Sequence, residues 1–341
     1  MIKGAVIGLG KMGLSHVSIL GAHPEVELVA VCDTSTLVLG AFKKYANTKI
    51  YSDYNKLFDS ETLDFVVIAL PTKLHYPAAR AAMERNIHVF CEKPLVLHNA
   101  DGEELVRLAK EKNLVNQVGY HNHFVGTFRL LKQLLEKNVL GKIFHFEGEA
   151  YGPVVTKPPK DSWRLNPEEG GGCLYDYASH VINLLQVVIA RPIKVHGALV
   201  KKIYSSAVED AVYSLLELET GVTGALLVNW SDETYRKMST IVKIQGEKGK
   251  IVCDATELKI YLKEANTEFG FDKGWTIKYI TDTAIPVNYY LRGEEYSAQI
   301  DYFVDCIKNN QQPTINTFEQ ALYTNKVIGM IVEEEQRAKT V

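Results

Sequence analysis

Ile2-Lys3-Gly4-Ala5-Val6-Ile7-Gly8-Leu9-Gly10-Lys11-Met12-Gly13 opens the chain and decides how its first part folds. Ile2–Ile7 is apolar enough for a buried parallel strand, and the run that follows to Leu20 suits a helix. Between them lies G-x-G-x-x-G in the setting it requires: strand, tight turn, helix. Gly8 permits the sharp turn, Gly10 lets backbone approach a pyrophosphate, and Gly13 lets the helix pack closely on the strand. The N–H groups at the helix start then face an anion. Leu9, Lys11 and Met12 fill the loop and join the three glycines as candidate cofactor contacts. A second strand, Glu27 to Cys32, ends in Asp33, twenty residues after Gly13. A carboxylate there can hydrogen-bond the ribose hydroxyls of NAD. The same charge repels the 2′-phosphate of NADP, and no arginine or lysine follows within Thr34 to Phe42. NAD is therefore the expected cofactor, preferred by about 10²-fold.

Strand and helix keep alternating over the first 120 or so residues, which predicts a parallel, doubly wound sheet with ligands at the carboxyl ends of its strands. Leu63–Leu70 and Ile87–Cys91 read as strands, Tyr76–Asn86 and Asn99–Lys112 as helices, with Asn99 as N-cap. Val115–Gly119 closes the series. Beyond it the pattern changes. Thr127–Lys137 and Asp176–Ile189 read as helices. Strand-like runs at Lys142–Ala150, Lys194–Ile203, Asp210–Leu218, Thr223–Trp230, Thr240–Gln245, Lys250–Cys253 and Leu258–Leu262 are joined at many points by Gly turns, as antiparallel strands are. Two helices, near Glu295–Lys308 and Phe318–Arg337, finish the chain. The reading is a Rossmann domain over 1–121 and an α+β domain over 122–341, built on a large, mostly antiparallel open sheet that binds substrate and carries oligomer contacts.

Composition fits this division. The chain has 341 residues, too many for one ordinary core. It is 46% hydrophobic and 23% charged, with a formal net charge of −3, so nothing favours nucleic acid or a membrane surface as partner. No apolar stretch approaches the roughly 18 residues of a membrane span. Met1 leads straight into the first strand, leaving no room for a signal peptide, so a cytoplasmic protein is expected. Five scattered cysteines without C-x-x-C suggest reduced thiols rather than disulfides or zinc.

Three clusters carry candidate chemistry. Pro71, Thr72 and His75 follow the strand that ends at Leu70, where a nicotinamide would be flanked. Glu92-Lys93-Pro94 follows the next strand, which puts Lys93 near the cofactor. Asp176 and His180 stand four residues apart, on one helical face, after Gly170-Gly171-Gly172. His121 and His123 are poorly spaced for a metal, and no metal is expected.

Taken together these pieces resemble the Gfo/Idh/MocA family of oxidoreductases: G-x-G-x-x-G, an acid after the second strand, P-x-x-x-H, E-K-P and G-G-G-x-L-x-D-x-G-x-H, in order along the whole chain. The resemblance implies NAD(P)-dependent oxidation or reduction of a sugar-like alcohol, with Lys93, Asp176 and His180 as the catalytic group. It also implies a cis Lys93–Pro94 peptide and assembly as a homodimer or homotetramer. Pro71, Thr72, His75, Glu92 and Lys93 join the glycine loop and Asp33 in holding the cofactor. Lys93, Tyr120, His123, Tyr151, Trp163, Arg164, Asp176, His180 and Tyr290 are the candidate substrate contacts. Related functions on the same fold are NAD sensing without catalysis and redox-neutral glycoside cleavage.

The chain departs from the family pattern at Ala178, in place of glycine, and at Asn183, where many members have aspartate. It departs again at Tyr120-His121-Asn122-His123-Phe124, in place of a stretch that often carries arginines. Lys157, Lys160 and Arg164 precede the glycine run, and Arg292 follows two tyrosines. These four cations predict a substrate with an anionic group or nucleotide tail.

Overall fold

The computed structural model describes residues 1–45, 48–156, 163–291 and 293–340. Its contacts divide into two units, Met1–His121 with Pro286–Leu322, and Asn122–Ile285 with Tyr323–Val341.

In the first unit, strands β1 (Ile2–Ile7), β2 (Val26–Cys32), β3 (Lys49–Tyr51), β4 (Phe65–Ile68), β5 (His88–Cys91) and β6 (Asn116–Val118) form a six-stranded sheet in the order 3-2-1-4-5-6. Every pairing is parallel. Helices α1 (Lys11–Ala22), α2 (Thr36–Tyr45), α3 (Tyr54–Ser60), α4 (His75–Glu84) and α5 (Asn99–Glu111) make the crossovers. The strand interiors are buried on both sides: Ala5, Val6, Val66, Val67 and Phe90 have no exposed surface, as the unbroken apolar runs required. The strand order switches direction between β1 and β4, and the glycine loop leaving β1 lies beside that switch point, at the carboxyl ends of the strands.

The segment 286–322 groups with this unit rather than with the 122–341 domain read from the sequence. The reason is burial. Far along the chain, a helix at Glu294–Lys308 (numbered α9 below) presses Ile300, Phe303 and Val304 onto the sheet, and Phe303 meets Phe65 and Phe90 edge-on at 5.7 and 5.8 Å. Asn99 is the first residue of α5 rather than its cap; His98 precedes it, with no side-chain cap bond.

The second unit holds α6 (Gly126–Glu136), β7 (Ile143–Tyr151), α7 (Ser179–Val188), β8 (Pro192–Lys201), β9 (Ala211–Leu218), β10 (Thr223–Asn229), β11 (Ser239–Gly246), β12 (Gly249–Asp254), β13 (Glu257–Leu262), β14 (Gly274–Tyr279) and the short α8 (Ile280–Thr283). After α9 the chain ends in α10 (Phe318–Thr340). The eight strands run in the order 14-13-12-11-7-10-9-8, antiparallel except for the parallel β7–β10 pair. One face is a core: Phe146, Leu226, Val242 and Ile260 meet Val181 and Leu185 of α7, Leu131 of α6 and Ile331 of α10. Gly148 has no side chain because a Cβ there would lie 2.6 Å from Val181. The other face stays open, with Leu199, Leu215, Trp275, Ile277 and Tyr279 exposed between 42% and 58%.

Candidate active site

Two constellations gather the expected residues, one in each unit. In the first unit the glycine loop has the shape its sequence requires. Gly8 takes φ +90°, and a Cβ on Gly13 would fall 1.7 Å from the Gly8 carbonyl oxygen, so only glycine lets α1 start this close to β1. Gly10 faces open space, and no side chain caps the start of α1, whose first turn holds no acid. A pyrophosphate fits this cradle: backbone N–H groups, the positive end of the helix dipole and no competing carboxylate. Asp33 is held at the tip of β2 by two backbone donors, Leu9 N–H to Oδ2 at 2.6 Å and Ser35 N–H to Oδ1 at 2.7 Å. Each oxygen keeps a lone pair for a ribose hydroxyl.

His75 lies at the start of α4, almost wholly buried. Its Nδ1 stands 2.8 Å from the Pro94 carbonyl and its Nε2 2.8 Å from that of Leu70. Burial pulls this imidazole below its ordinary pKa, against the pull of those two carbonyls. A neutral imidazole carries one N–H, so His75 donates to one of these carbonyls and packs against the other, between the chain after β4 and the chain after β5. The Lys93–Pro94 peptide between these points is cis. Glu92 receives His16 Nε2 at 2.7 Å. Burial would push this carboxyl up, but the His16 hydrogen bond and the charges of His16, Lys93 and His121 outweigh it and hold Glu92 below the usual range. Tyr120 is buried in the first unit's core, its carbonyl accepting from Asn316 Nδ2 at 2.7 Å.

In the second unit Leu174–Ala178 forms a π-helical turn that runs directly into α7. Asp176 lies in that turn and His180 in the first turn of α7, both buried. The glycines before them explain the approach. Gly171 N–H donates to the Asn166 carbonyl and Gly172 N–H to that of Arg164, and a Cβ on Gly171 would stand 2.4 Å from the Arg164 oxygen. The 164–166 backbone thus lies against the glycine run, and Arg164 Nε reaches Asp176 Oδ2 at 2.7 Å. Burial works against the Arg164 charge and Asp176 outweighs it. The guanidinium also lies over the Trp163 ring, 5.1 Å from its centroid. Glu209 backs the same turn: its carboxylate accepts from Leu174 N–H at 3.1 Å and fills the space a Gly172 side chain would need. Burial pushes that carboxyl up.

His123 and Asn183, two departures from the family pattern read separately in the sequence, are partners. His123 Nε2 donates to Asn183 Oδ1 at 2.6 Å, and burial drops the imidazole to about 4. Tyr151, expected among the substrate contacts, is not brought to Asp176 and His180. On β7 it alternates with Phe146, Gly148 and Ala150, which face α7, so it points to the opposite face of the sheet. There it stacks on Tyr235 and lines a cavity of about 460 Å³ with Tyr213 and Asn229. Tyr290 is 70% exposed. Lys157, Lys160 and Arg292 lie outside the described residues. Among the described residues no cluster of His, Cys, Asp and Glu has the makings of a metal site, and no helix is long and apolar enough to cross a membrane.

Two models of one family match the chain, the NAD-binding Rossmann fold of the oxidoreductase family over residues 2–120 and the Gfo/Idh/MocA C-terminal domain over 128–252. The chain belongs to the Gfo/Idh/MocA oxidoreductase family. Its first unit is the family's NAD-binding Rossmann fold. Among similar proteins, myo-inositol 2-dehydrogenase of Thermotoga maritima is 23% identical over 91% of this chain and 90% of its own. An uncharacterized oxidoreductase of Schizosaccharomyces pombe is 32% identical over 56% of this chain, a stretch spanning only 52% of that relative's length. The fold matches that of levoglucosan dehydrogenase in complex with NADH, with a TM-score of 0.88 at 21% identity over 98% of this chain and 97% of the other.

Proposed function

We propose that this Gfo/Idh/MocA protein is an NAD-dependent dehydrogenase or reductase for a secondary alcohol or ketone on a sugar, sugar derivative or cyclitol ring, with Lys93, Asp176 and His180 as its catalytic group. The observation that carries this reading is the Asp176–His180 pair: two buried ionisable side chains one helical turn apart, with the carboxylate fixed by Arg164. A carboxylate so held can orient a ring hydroxyl beside an imidazole. The nicotinamide, when bound, takes up or returns the carbinol hydride. His180 accepts the hydroxyl proton, a role worth roughly 10²–10⁴ in rate. Asp176 orients the hydroxyl and steadies the imidazolium. Lys93 donates to the reacting oxygen and stabilises its developing negative charge.

The substrate we favour is a neutral ring. Of the four cations read as facing an anionic tail, Arg164 is the one described, and its Nε is engaged by Asp176. Myo-inositol and levoglucosan, named for two relatives, are neutral cyclic polyols. The test is NADH formation from NAD with a panel of free sugars, cyclitols, sugar phosphates and nucleotide-linked sugars. A neutral member should give the highest kcat/KM; a phosphorylated or nucleotide-linked winner would overturn the neutral-ring reading.

We assign cofactor binding to the first unit, and substrate binding and assembly to the second. The open sheet face supports a homodimer or homotetramer, since apolar side chains stand exposed at both of its ends, Leu199 and Leu215 on β8 and β9 and Trp275 and Ile277 on β14, where association would cover them. Five buried, unbridged cysteines fit the reducing cytoplasm. A monomeric mass by light scattering at micromolar concentration would refute the assembly.

A further inference from the structure

We propose that His16 is a positioning residue: acting through Glu92, it fixes the place and the charge of Lys93. The inference rests on the reading that Lys93 takes part in the reaction.

His16 sits on the second turn of α1, fully buried, one turn beyond Gly13. Its Nε2 lies 2.7 Å from Glu92 Oε1. An ionised carboxylate only accepts, so Nε2 carries the proton. The ring packs edge-on against Phe90 of β5 at 5.2 Å, and Phe90 is itself wedged against Phe303 of α9, so the donor cannot swing away. Glu92 is equally constrained. Its N–H donates to the Ile68 carbonyl at the end of β4. A Cβ on Gly119 would come within 3.0 Å of Oε2, so only glycine at that position leaves the carboxylate its room. The Lys93 N–H lies 3.4 Å from the same oxygen.

The titratable and charged groups that interact with this carboxylate are His75 of α4, Cys91 at the end of β5 and three that favour its charge: His16 from α1, Lys93 beside it in sequence, and His121 after β6, whose ring stacks on Tyr296 of α9 at 4.8 Å. A buried carboxylate demands compensation, and these three groups supply it. The chain on either side of Lys93 is therefore held, at Glu92 by His16 and at Pro94 by His75. Lys93 is left next to an anion whose charge is partly absorbed by the His16 hydrogen bond. Removing the anion should make the ammonium easier to deprotonate. Removing the His16 donor should leave more of the carboxylate's charge to Lys93 and make it harder.

Competitive labelling of the full-length protein with trace acetic anhydride from pH 8 to 11, read by peptide mass spectrometry, reports the reactivity of Lys93 without any substrate. Glu92→Gln should speed Lys93 acetylation at least threefold. His16→Leu should slow it at least twofold. His16→Gln, whose side-chain N–H can replace the imidazole donor, should match wild type. The dissociation constant for NADH, read by its fluorescence, should move less than threefold in His16→Leu and His16→Gln. Labelling unchanged in Glu92→Gln, or acetylation speeded in both Glu92→Gln and His16→Leu as mere loosening would do, overturns the proposal. Should His16→Leu fail to fold, His16→Phe, a ring without a donor, takes its place with the same expected slowing. If labelling shifts as expected but Glu92→Gln turns over the panel's best substrate like wild type, the positioning stands and the catalytic reading of Lys93 falls.

Discussion

The two units hold their candidate site residues in different ways. In the first, partners are mostly backbone groups at strand ends: Asp33 takes the amides of Leu9 and Ser35, and His75 lies between the carbonyls of Leu70 and Pro94 and donates to one of them. In the second, side chain holds side chain across the sequence, Arg164 to Asp176 over 12 residues and His123 to Asn183 over 60. A backbone cradle tolerates changes in its surroundings and suits a ligand that does not vary. Side-chain pairs can be exchanged one at a time, and that suits the half of the molecule to which we assign substrate binding.

If the two halves divide the labour in this way, single substitutions should separate binding of the cofactor from chemistry. The largest effect is expected at His180. His180→Ala should cut kcat by about 10²–10⁴ and leave the Kd for NADH unchanged. Lys93→Ala should cost as much. A variant of either that keeps near wild-type turnover removes that residue from the mechanism.

Asp33 probes the cradle. Wild type should prefer NAD to NADP by about 10²-fold, and Asp33→Ser should erase most of that preference while kcat at saturating cofactor stays put. Equal affinity of the wild type for both cofactors, measured by titration, breaks the comparison at its first half.

The His123–Asn183 pair predicts a pH effect with a definite sign. Folded His123 has its pKa depressed to about 4, so the unfolded chain binds the proton more readily. Its contribution to stability is present above about pH 6.5 and is lost as pH falls toward 4, amounting to about 2 kcal/mol between pH 7 and 5. Asn183→Asp should reverse this by offering the imidazole an anion. Urea midpoints at pH 5 and pH 7 read it directly: the Asn183→Asp protein should gain, relative to wild type, at the lower pH. An unchanged pH dependence would mean that His123 does not titrate as a buried neutral group.

The smallest effect is assigned to Arg164. Arg164→Met should lower turnover about tenfold, equivalent to about 1.4 kcal/mol, by releasing Asp176, with NADH affinity intact. If Arg164→Met instead raises KM for a phosphorylated sugar and spares neutral ones, Arg164 reads the substrate rather than Asp176.

The sequence was most legible where structure is local. β4 is a continuous apolar run, β1 and β2 are apolar apart from Lys3 and Glu27, and the glycine spacing, Asp33 and E-K-P are each short and bound to a strand end. The two strands left unread, β3 and β14, are sheet edges. β3 is three residues long, and β14 alternates between half-buried and exposed positions, with Trp275, Ile277 and Tyr279 toward the open face. Apolar pattern fades where only one neighbour and one face are covered. Tyr151 stands on the open face, and the signal for that was present in its parity with Glu149 and against Gly148. His16 was overlooked, and its mark is a polar residue on the buried stripe Gly13, His16, Leu20 of α1. The partnerships of Arg164 with Asp176 and of His123 with Asn183 had no local sign, because they depend on how loops close over the glycine run and α7.

The central claim is hydride transfer from a ring carbinol, and isotope transfer tests it most directly. The panel's best substrate, deuterated at the reacting carbon, is incubated with the protein and NAD, and the products are read by mass spectrometry. The account predicts one deuterium in the nicotinamide ring of NADH, formed in equal amount with a ketone. Release of a free sugar with no net NADH, or binding of the substrate with no transfer at all, would contradict it.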